Sequence, residues 1–304
     1  MRVLVTQELP EPSTTDLLAG HEVVIGIGDP ASAAAAPLLA GADALLPTPR
    51  ERVSSEVLAR APHLAIVANC AVGTDNIDLQ ACARRGVVVT NTPDVLTEAT
   101  ADLTWALLLA VARRIREGEK LLRSGTWTGW KPTELLGISL EGKTLGVWGG
   151  GRIGRAVARR GEAFGMRILA MRSADPRARF EELLESSDVL SLHAPATAAT
   201  RGRFSRAELF RMKKGAILVN TARGALLDED ALADALEAGR LRGAGLDVYR
   251  DEPRVSPRLL ARDDVVLLPH IGSATEETRL AMARIACGEI ARVLRGEAPL
   301  HRVV

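Results

Sequence analysis

Aromatic residues are scarce in this chain: Phe, Trp and Tyr fill 3% of 304 positions, with a single tyrosine. Its core must therefore be built mainly from aliphatic side chains and alanine. Cysteine is scarcer still. Cys70, Cys82 and Cys287 show no C-x-x-C or metal-ligand spacing, so neither a disulfide framework nor a metal site is expected. They read as small buried residues of a reducing cytoplasm, which is the expected location. There is no excess of charge. The 39 basic residues, mostly arginine, balance 38 acidic ones to a net +1. No strong field draws such a protein to nucleic acid or to a membrane surface, and neither is an expected partner. Long apolar runs are missing too. The most apolar stretch, 103–112, is too short to span a bilayer. The first residues enter a strand-like run without the apolar core of a secretory signal.

What the chain does have is apolar content and glycine. It is 47% hydrophobic and carries 27 glycines, enough for a sizeable core and about two domains. The organising stretch is GKTLGVWGGGRIGRAVARRGEAFG, residues 142–165. Leu145, Val147 and Trp148 read as a short buried strand. Gly149, Gly151 and Gly154 follow in the spacing G-x-G-x-x-G, and Ile153, Val157 and Phe164 continue at helical spacing. A strand, a glycine turn and a helix in that order suit a dinucleotide pyrophosphate. Gly149 allows the tight turn, Gly151 the approach of the phosphates, and Gly154 close packing of helix on strand. Arg152 and Ile153 join them as candidate cofactor contacts, because the free N–H groups of the helix start face the anion.

Before this stretch, strands are expected at 2–6, 21–27, 42–46, 64–68 and 86–90, with helices within 30–41 and at 54–60. Alternation of this kind predicts a parallel sheet. A helix over 98–119 follows, with Thr97 as its cap and Glu98 and Asp102 near its positive end. It is apolar nearly all round at its start, so burial is expected. WTGWKPTELL, 127–136, reads as a packed surface loop, with a subunit contact or an active-site rim as alternatives. After the glycine motif, strands are expected at 167–171, 188–193, 216–220, 243–248 and 265–268. A last helix, 275–295, returns to the first domain.

Ligands of open α/β sheets bind beyond the carboxyl ends of the strands. Arg223, Glu252 and His270 are far apart in sequence, yet all follow strands and would share one rim of a parallel sheet. His21, His63 and His301 are read as surface residues. Trp105, Trp148 and Tyr249 are read as core. His193 ends a strand, where a structural role is favoured over lining the site.

The segments NCAVGTDNIDL, NTPDVLTEATADL, GGGRIG, SLHAPAT, VNTARGALLDEDAL, GAGLDVYRDEP and LLPHIGSAT occur in order over nearly the whole chain. With them the chain resembles the D-isomer-specific 2-hydroxyacid dehydrogenase family, most of all its glyoxylate/hydroxypyruvate reductases. The resemblance implies roles. His270 matches the proton donor to the substrate carbonyl, and Glu252 the carboxylate paired with it. Arg223 matches the cation that holds the substrate carboxylate and polarises the keto oxygen. Val72 and Gly73 match the loop whose backbone amides bind that carboxylate. Thr100, Thr221, Asp247 and Gly272 match cofactor-contacting positions, and His193 is kept as a further candidate. The chemistry agrees: hydride arrival at a keto carbon leaves charge on oxygen, which a guanidinium stabilises and an imidazolium can protonate.

Two departures stand out. An NAD site places an acidic residue about 20 positions after the glycines. Here that place falls on Arg172 or Ser173, with no aspartate until Asp175. An arginine there can clasp a 2′-phosphate, so NADP(H) is favoured and NAD(H) remains possible. Second, only seven residues separate Arg172 from Phe180, where family members usually have a further short strand. The adenosine pocket is expected to be shortened.

The expected architecture is α/β: two Rossmann-like open parallel-sheet domains with a cleft between them. A discontinuous, flavodoxin-like substrate domain (1–97 and 275–304) holds a dinucleotide-binding domain (98–274). The expected reaction is NAD(P)H-dependent reduction of a small 2-keto acid to the D-2-hydroxy acid. The resemblance also implies a homodimer. The alternatives are a D-3-phosphoglycerate dehydrogenase and an NAD(H)-sensing, corepressor-like binding protein.

Overall fold

Short runs of Val, Leu, Ile and Ala pair in parallel throughout the computed structural model, which describes residues 1–304. The chain divides into two units, Met1–Leu96 with Ser273–Val304, and Thr97–Gly272. We call them the terminal unit and the inserted unit.

The terminal unit opens with β1 Arg2–Val5, α1 Ser13–Leu17, β2 Glu22–Ile25, α2 Ala36–Leu39 and β3 Ala44–Leu46. It continues with α3 Ser55–Ala59, β4 Ile66–Ala68, α4 Leu79–Arg84 and β5 Val88–Thr90. The strands lie in the order β2-β1-β3-β4-β5, all parallel, as in flavodoxin-like sheets. Strand residues alternate between faces. Leu4, Leu45, Val67 and Val89 feed the core on one side, and Val3, Val5, Leu46 and Ile66 that on the other.

The inserted unit runs α5 Thr97–Ala112, α6 Ile115–Arg123, β6 Thr144–Trp148, α7 Arg152–Ala163, β7 Arg167–Met171 and α8 Arg177–Ser186. Then come β8 Val189–Leu192, α9 Arg206–Arg211, β9 Ala216–Asn220, α10 Glu229–Glu237, β10 Leu241–Leu246, α11 Pro257–Leu260 and β11 Val265–Leu267. Its strand order is β11-β10-β9-β8-β6-β7, again all parallel. The order reverses beside β6, so the turn after β6 stands at the switch point where such sheets take ligands. Three of the few aromatics cluster here: Trp148 meets Phe204 edge-on at 4.9 Å and Phe180 at 6.1 Å. Trp105 and Tyr249 are buried as well. The chain then ends with α12 Glu276–Leu294, which packs on α1, β3 and β4 of the terminal unit. Beyond it, the tail adds to β5 antiparallel: Val303 N–H donates to Val89 O at 2.7 Å and Val89 N–H to Val304 O at 3.0 Å. No helix is long and apolar enough to cross a membrane.

Four expectations need correction. The helix expected over 98–119 is two helices. Arg114, at φ 55°, takes the left-handed conformation and grips Glu117 through Nε at 2.8 Å and Nη2 at 2.6 Å. The carbonyl of Ala112 accepts from Ile138 N–H instead of continuing α5. The cause is composition: α5 buries half its residues, whereas α6 buries none and cannot follow the same axis into the core. Thr97 is the first residue of α5, not its cap. Glu98 and Asp102 bond to Arg159 and Arg160 of α7. The loop 127–136 is not packed down, since Trp130 is 83% exposed. His301 is not a free surface residue. Its Nδ1 lies 2.7 Å from the buried carboxylate of Glu289.

Candidate active site

The glycine turn has the backbone its chemistry requires. Gly149 sits at φ +114°, and a Cβ there would strike the backbone of His193. A Cβ on Gly154 would strike the carbonyl of Gly149. Gly151, at the head of α7, has open space where its Cβ would be and caps the helix with no side chain. The start of α7, at Arg152 and Ile153, therefore presents backbone N–H groups and the positive end of the helix dipole to an anion. This cradle fits a dinucleotide pyrophosphate.

At the end of β7, Arg172 is exposed. Its backbone N–H is held by Asp175 Oδ2 at 2.8 Å, which turns that carboxylate into its own loop. A Cβ on Gly150 would lie 3.6 Å from Arg172 Cγ, so the arginine runs beside the glycine turn. Ser173 is exposed next to it, and no strand lies between β7 and α8.

Further along the same rim, the turns after β9, β10 and β11 come together. Asn220 folds the first of them: its Nδ2 donates to Arg223 O at 2.9 Å and its Oδ1 accepts from Ala222 N at 3.1 Å. Gly224 packs so tightly on the Tyr249–Arg250 backbone that any Cβ would collide with it. That contact draws the turn of Arg223 toward the turn of Glu252. The Arg223 guanidinium donates to Ala222 O at 2.7 Å. Glu252 Oε1 accepts from Tyr249 N at 3.0 Å, and Oε2 lies 2.8 Å from His270 Nδ1. Burial raises the Glu252 pKa, but His270, the Tyr249 amide and nearby Arg223 outweigh it and leave it lowered. Glu252 is therefore an anion at neutral pH. With Nδ1 engaged, Nε2 is the histidine nitrogen left for a substrate. Both side chains are 37% exposed, so the pair is open to ligand.

His270 itself has φ 55°, a left-handed conformation uncommon without glycine. Asp247 secures it. Its two oxygens accept from Ile271 N and Gly272 N, each at 2.7 Å, which locks the turn behind the histidine. Burial raises the pKa of Asp247. Thr100 lies by Gly272, and Thr104 Oγ1 bonds Thr221 Oγ1 at 2.8 Å, so the expected Thr100, Thr221, Asp247 and Gly272 converge. In His193, Nε2 bonds Ser191 Oγ at 2.8 Å, Nδ1 is buried without a hydrogen-bond partner, and burial lowers the pKa to about 3. Its backbone, packed on Gly149, forms a wall of the turn. Val72 and Gly73 lie in the terminal unit, on the loop after β4. Sequence reasoning missed Asn220 and Gly224. Their only signal was adjacency to Arg223 in VNTARG.

A sequence profile described as "D-isomer specific 2-hydroxyacid dehydrogenase, NAD binding domain" matches residues 105–272. The chain belongs to this family. As a 2-hydroxyacid dehydrogenase it is an oxidoreductase that works with a nicotinamide cofactor. It is 44% identical to a glyoxylate reductase of Thermococcus litoralis, over 99% of this chain and 96% of that one. A crystal structure of the TT0316 protein of Thermus thermophilus superposes with a TM-score of 0.94 at 48% identity, covering 100% of both chains. An NADPH-dependent glyoxylate/hydroxypyruvate reductase of Sinorhizobium meliloti, solved with NADP and malonate, gives a TM-score of 0.88 at 34% identity. That match covers 100% of this dehydrogenase and 96% of the other chain.

Proposed function

We propose that this dehydrogenase reduces glyoxylate to glycolate, or hydroxypyruvate to D-glycerate, with NADPH preferred. The observation that carries the reading is the His270–Glu252 pair at 2.8 Å, on the rim that also presents Arg223 and the glycine turn. The bound nicotinamide supplies the hydride. Gly149, Gly151 and Gly154 with Arg152 and Ile153 would hold its pyrophosphate, and Thr100, Thr221, Asp247 and Gly272 would line the cofactor side. Arg223 binds the substrate carboxylate and draws charge toward the keto oxygen. The loop of Val72 and Gly73 offers backbone N–H groups to a substrate carboxylate. His270 releases the proton on Nε2 to the keto oxygen, and Glu252 holds Nδ1–H and balances the imidazolium.

Arg172 and Ser173 support the NADPH preference. A guanidinium at the strand end favours a 2′-phosphate, and the first carboxylate after it, Asp175, is occupied by the backbone of Arg172. A homodimer is the proposed assembly. Trp127, Trp130 and Leu136 of the loop and Ile115 and Leu122 of α6 are exposed apolar side chains close in sequence, the kind of surface that associates. The three cysteines are free and buried, in keeping with a cytoplasmic enzyme.

The test is steady-state oxidation of NADPH and NADH with glyoxylate, hydroxypyruvate and 3-phosphohydroxypyruvate. Turnover of the first two acids with NADPH is expected. Turnover confined to NADH and the phosphorylated acid would make the protein a phosphoglycerate dehydrogenase. No turnover with any pair, cofactor still bound, would favour the binding-protein alternative.

A further inference from the structure

The carboxylate-binding role of Val72 and Gly73 asks for backbone N–H groups held in fixed directions. A loop does not provide that by itself. Two asparagines of the terminal unit reach this one. Asn91, directly after β5, donates from Nδ2 to the carbonyl of Val72 at 2.8 Å. Asn69, directly after β4 and wholly buried, donates from Nδ2 to the carbonyl of Gly73 at 2.8 Å. A trans peptide is planar, with C=O and N–H pointing in opposite directions. Anchoring the Val72 carbonyl therefore aims the N–H of Gly73 away from Asn91. Anchoring the Gly73 carbonyl aims the N–H of Thr74 away from Asn69. Neither of these N–H groups is spent on a hydrogen bond inside the unit.

The anchors are themselves anchored. Asn69 and Asn76 exchange amide hydrogen bonds at 3.3 and 3.2 Å. Asn76 also donates to the carbonyls of Thr48 at 3.0 Å and Glu51 at 3.1 Å. Glu51, 3% exposed, accepts from the hydroxyls of Thr6 and Thr48 and from the amide of Gln7, each at 2.8 Å. Asn91 is fixed from another side, since its backbone N–H donates to His301 O of the C-terminal tail at 3.3 Å. A network this complete in a loop orders what would otherwise be mobile.

We propose that Asn69 and Asn91 are positioning residues for the substrate carboxylate, each clamping one carbonyl of the Val72-Gly73 loop so that the following amides face the ligand. The proposal rests on the carboxylate role assigned to that loop above.

Asn91 carries the test, because it is only half-buried and its replacement does not open the core. Asn91→Ala is expected to raise KM for glyoxylate and Ki for the dead-end dicarboxylate oxalate together, by about tenfold, the value of one well-placed hydrogen bond. The turnover number and the Kd of NADPH should stay within about twofold. Asn91→Asp keeps the size but turns an acceptor toward the Val72 carbonyl, so it should raise KM further than alanine does. A role in packing alone predicts the opposite order. Asn91→Ser, a smaller change, gives the same readout if alanine impairs folding. Unchanged KM and Ki in these variants, with a working wild type, would overturn this inference and leave the proposed function standing. A wild type that turns over no keto acid would remove both.

Discussion

Two histidine–glutamate pairs occur in this protein, and only one belongs to the rim of the inserted unit. In each, a carboxylate oxygen lies close to Nδ1: 2.8 Å for His270–Glu252 and 2.7 Å for His301–Glu289. The difference lies in what surrounds them. Glu252 is 37% exposed, has Arg223 nearby, and points its histidine onto the rim proposed above to take the ligand. Glu289 is 2% exposed and also accepts from Leu300 N at 3.2 and 3.0 Å. It clamps the tail to α12, and its histidine is part of the clamp. A dyad distance is therefore no sign of catalysis. Access and a neighbouring cation make the difference, and both come from the turns after β9, β10 and β11.

The contrast can be broken most directly at the histidines. His270→Ala should lower the turnover number by about 10²–10⁴-fold, while NADPH still binds and the unfolding midpoint barely moves. Cofactor titration and steady-state kinetics on the same preparation check this. Glu252→Gln should cost less, on the order of tenfold, since the histidine remains but its charged form loses a partner. The same variant sharpens a pH effect. Because the Glu252 pKa is lowered, the folded protein leaves it unprotonated where an unfolded glutamate, near 4.5, begins to bind protons. Glu252 thus contributes stability above that pH and loses it as pH falls through the lower folded value. Urea titrations between about pH 3 and 6 should show a shallower acid loss in the glutamine variant.

Gly151→Ala tests the cradle. The added methyl meets nothing in the protein itself, so the fold should stand while NADPH binding weakens by about tenfold. Smallest in catalytic effect is the second dyad. Glu289→Gln should leave turnover within about twofold but cost about 1–3 kcal/mol of stability, because the buried side chain keeps only one of the two oxygens that hold Leu300 N and His301. Catalytic loss there equal to that at His270 would erase the distinction drawn between the pairs.

Much of this was legible in the sequence, for physical reasons. Inner strands of parallel sheets are buried on both faces and read as apolar runs, which is why 216–220 coincides with β9. Arg223, Glu252 and His270 were legible because each follows such a strand and the family resemblance named them. What escaped depends on contacts across long sequence distances. Nothing in the residues around Gly224 announces that Tyr249 will lie against it. Asp247 reads as a cofactor contact, and only the folded turn reveals both oxygens held by Ile271 and Gly272. The break at Arg114 was hidden because an arginine at positive φ leaves no mark on hydrophobic periodicity. His301 looked solvent-bound because its partner, Glu289, reads as an ordinary charged residue on a helix.

The terminal unit is made from both ends of the chain, and this has a consequence for its birth on the ribosome. Val3, Val5, Leu46 and Ile66 share a core with Met282, Ala286, Cys287 and Ile290 of α12. Synthesis runs from the N-terminus, at about 5–20 residues per second. The first sheet therefore emerges early with one apolar face bare, and stays so while all of the inserted unit is translated. The inserted unit holds every strand and helix of its own core and can close as soon as it clears the exit tunnel. The nascent protein thus passes through a stage with its second half folded and its first half sticky, which is the stage a chaperone must cover.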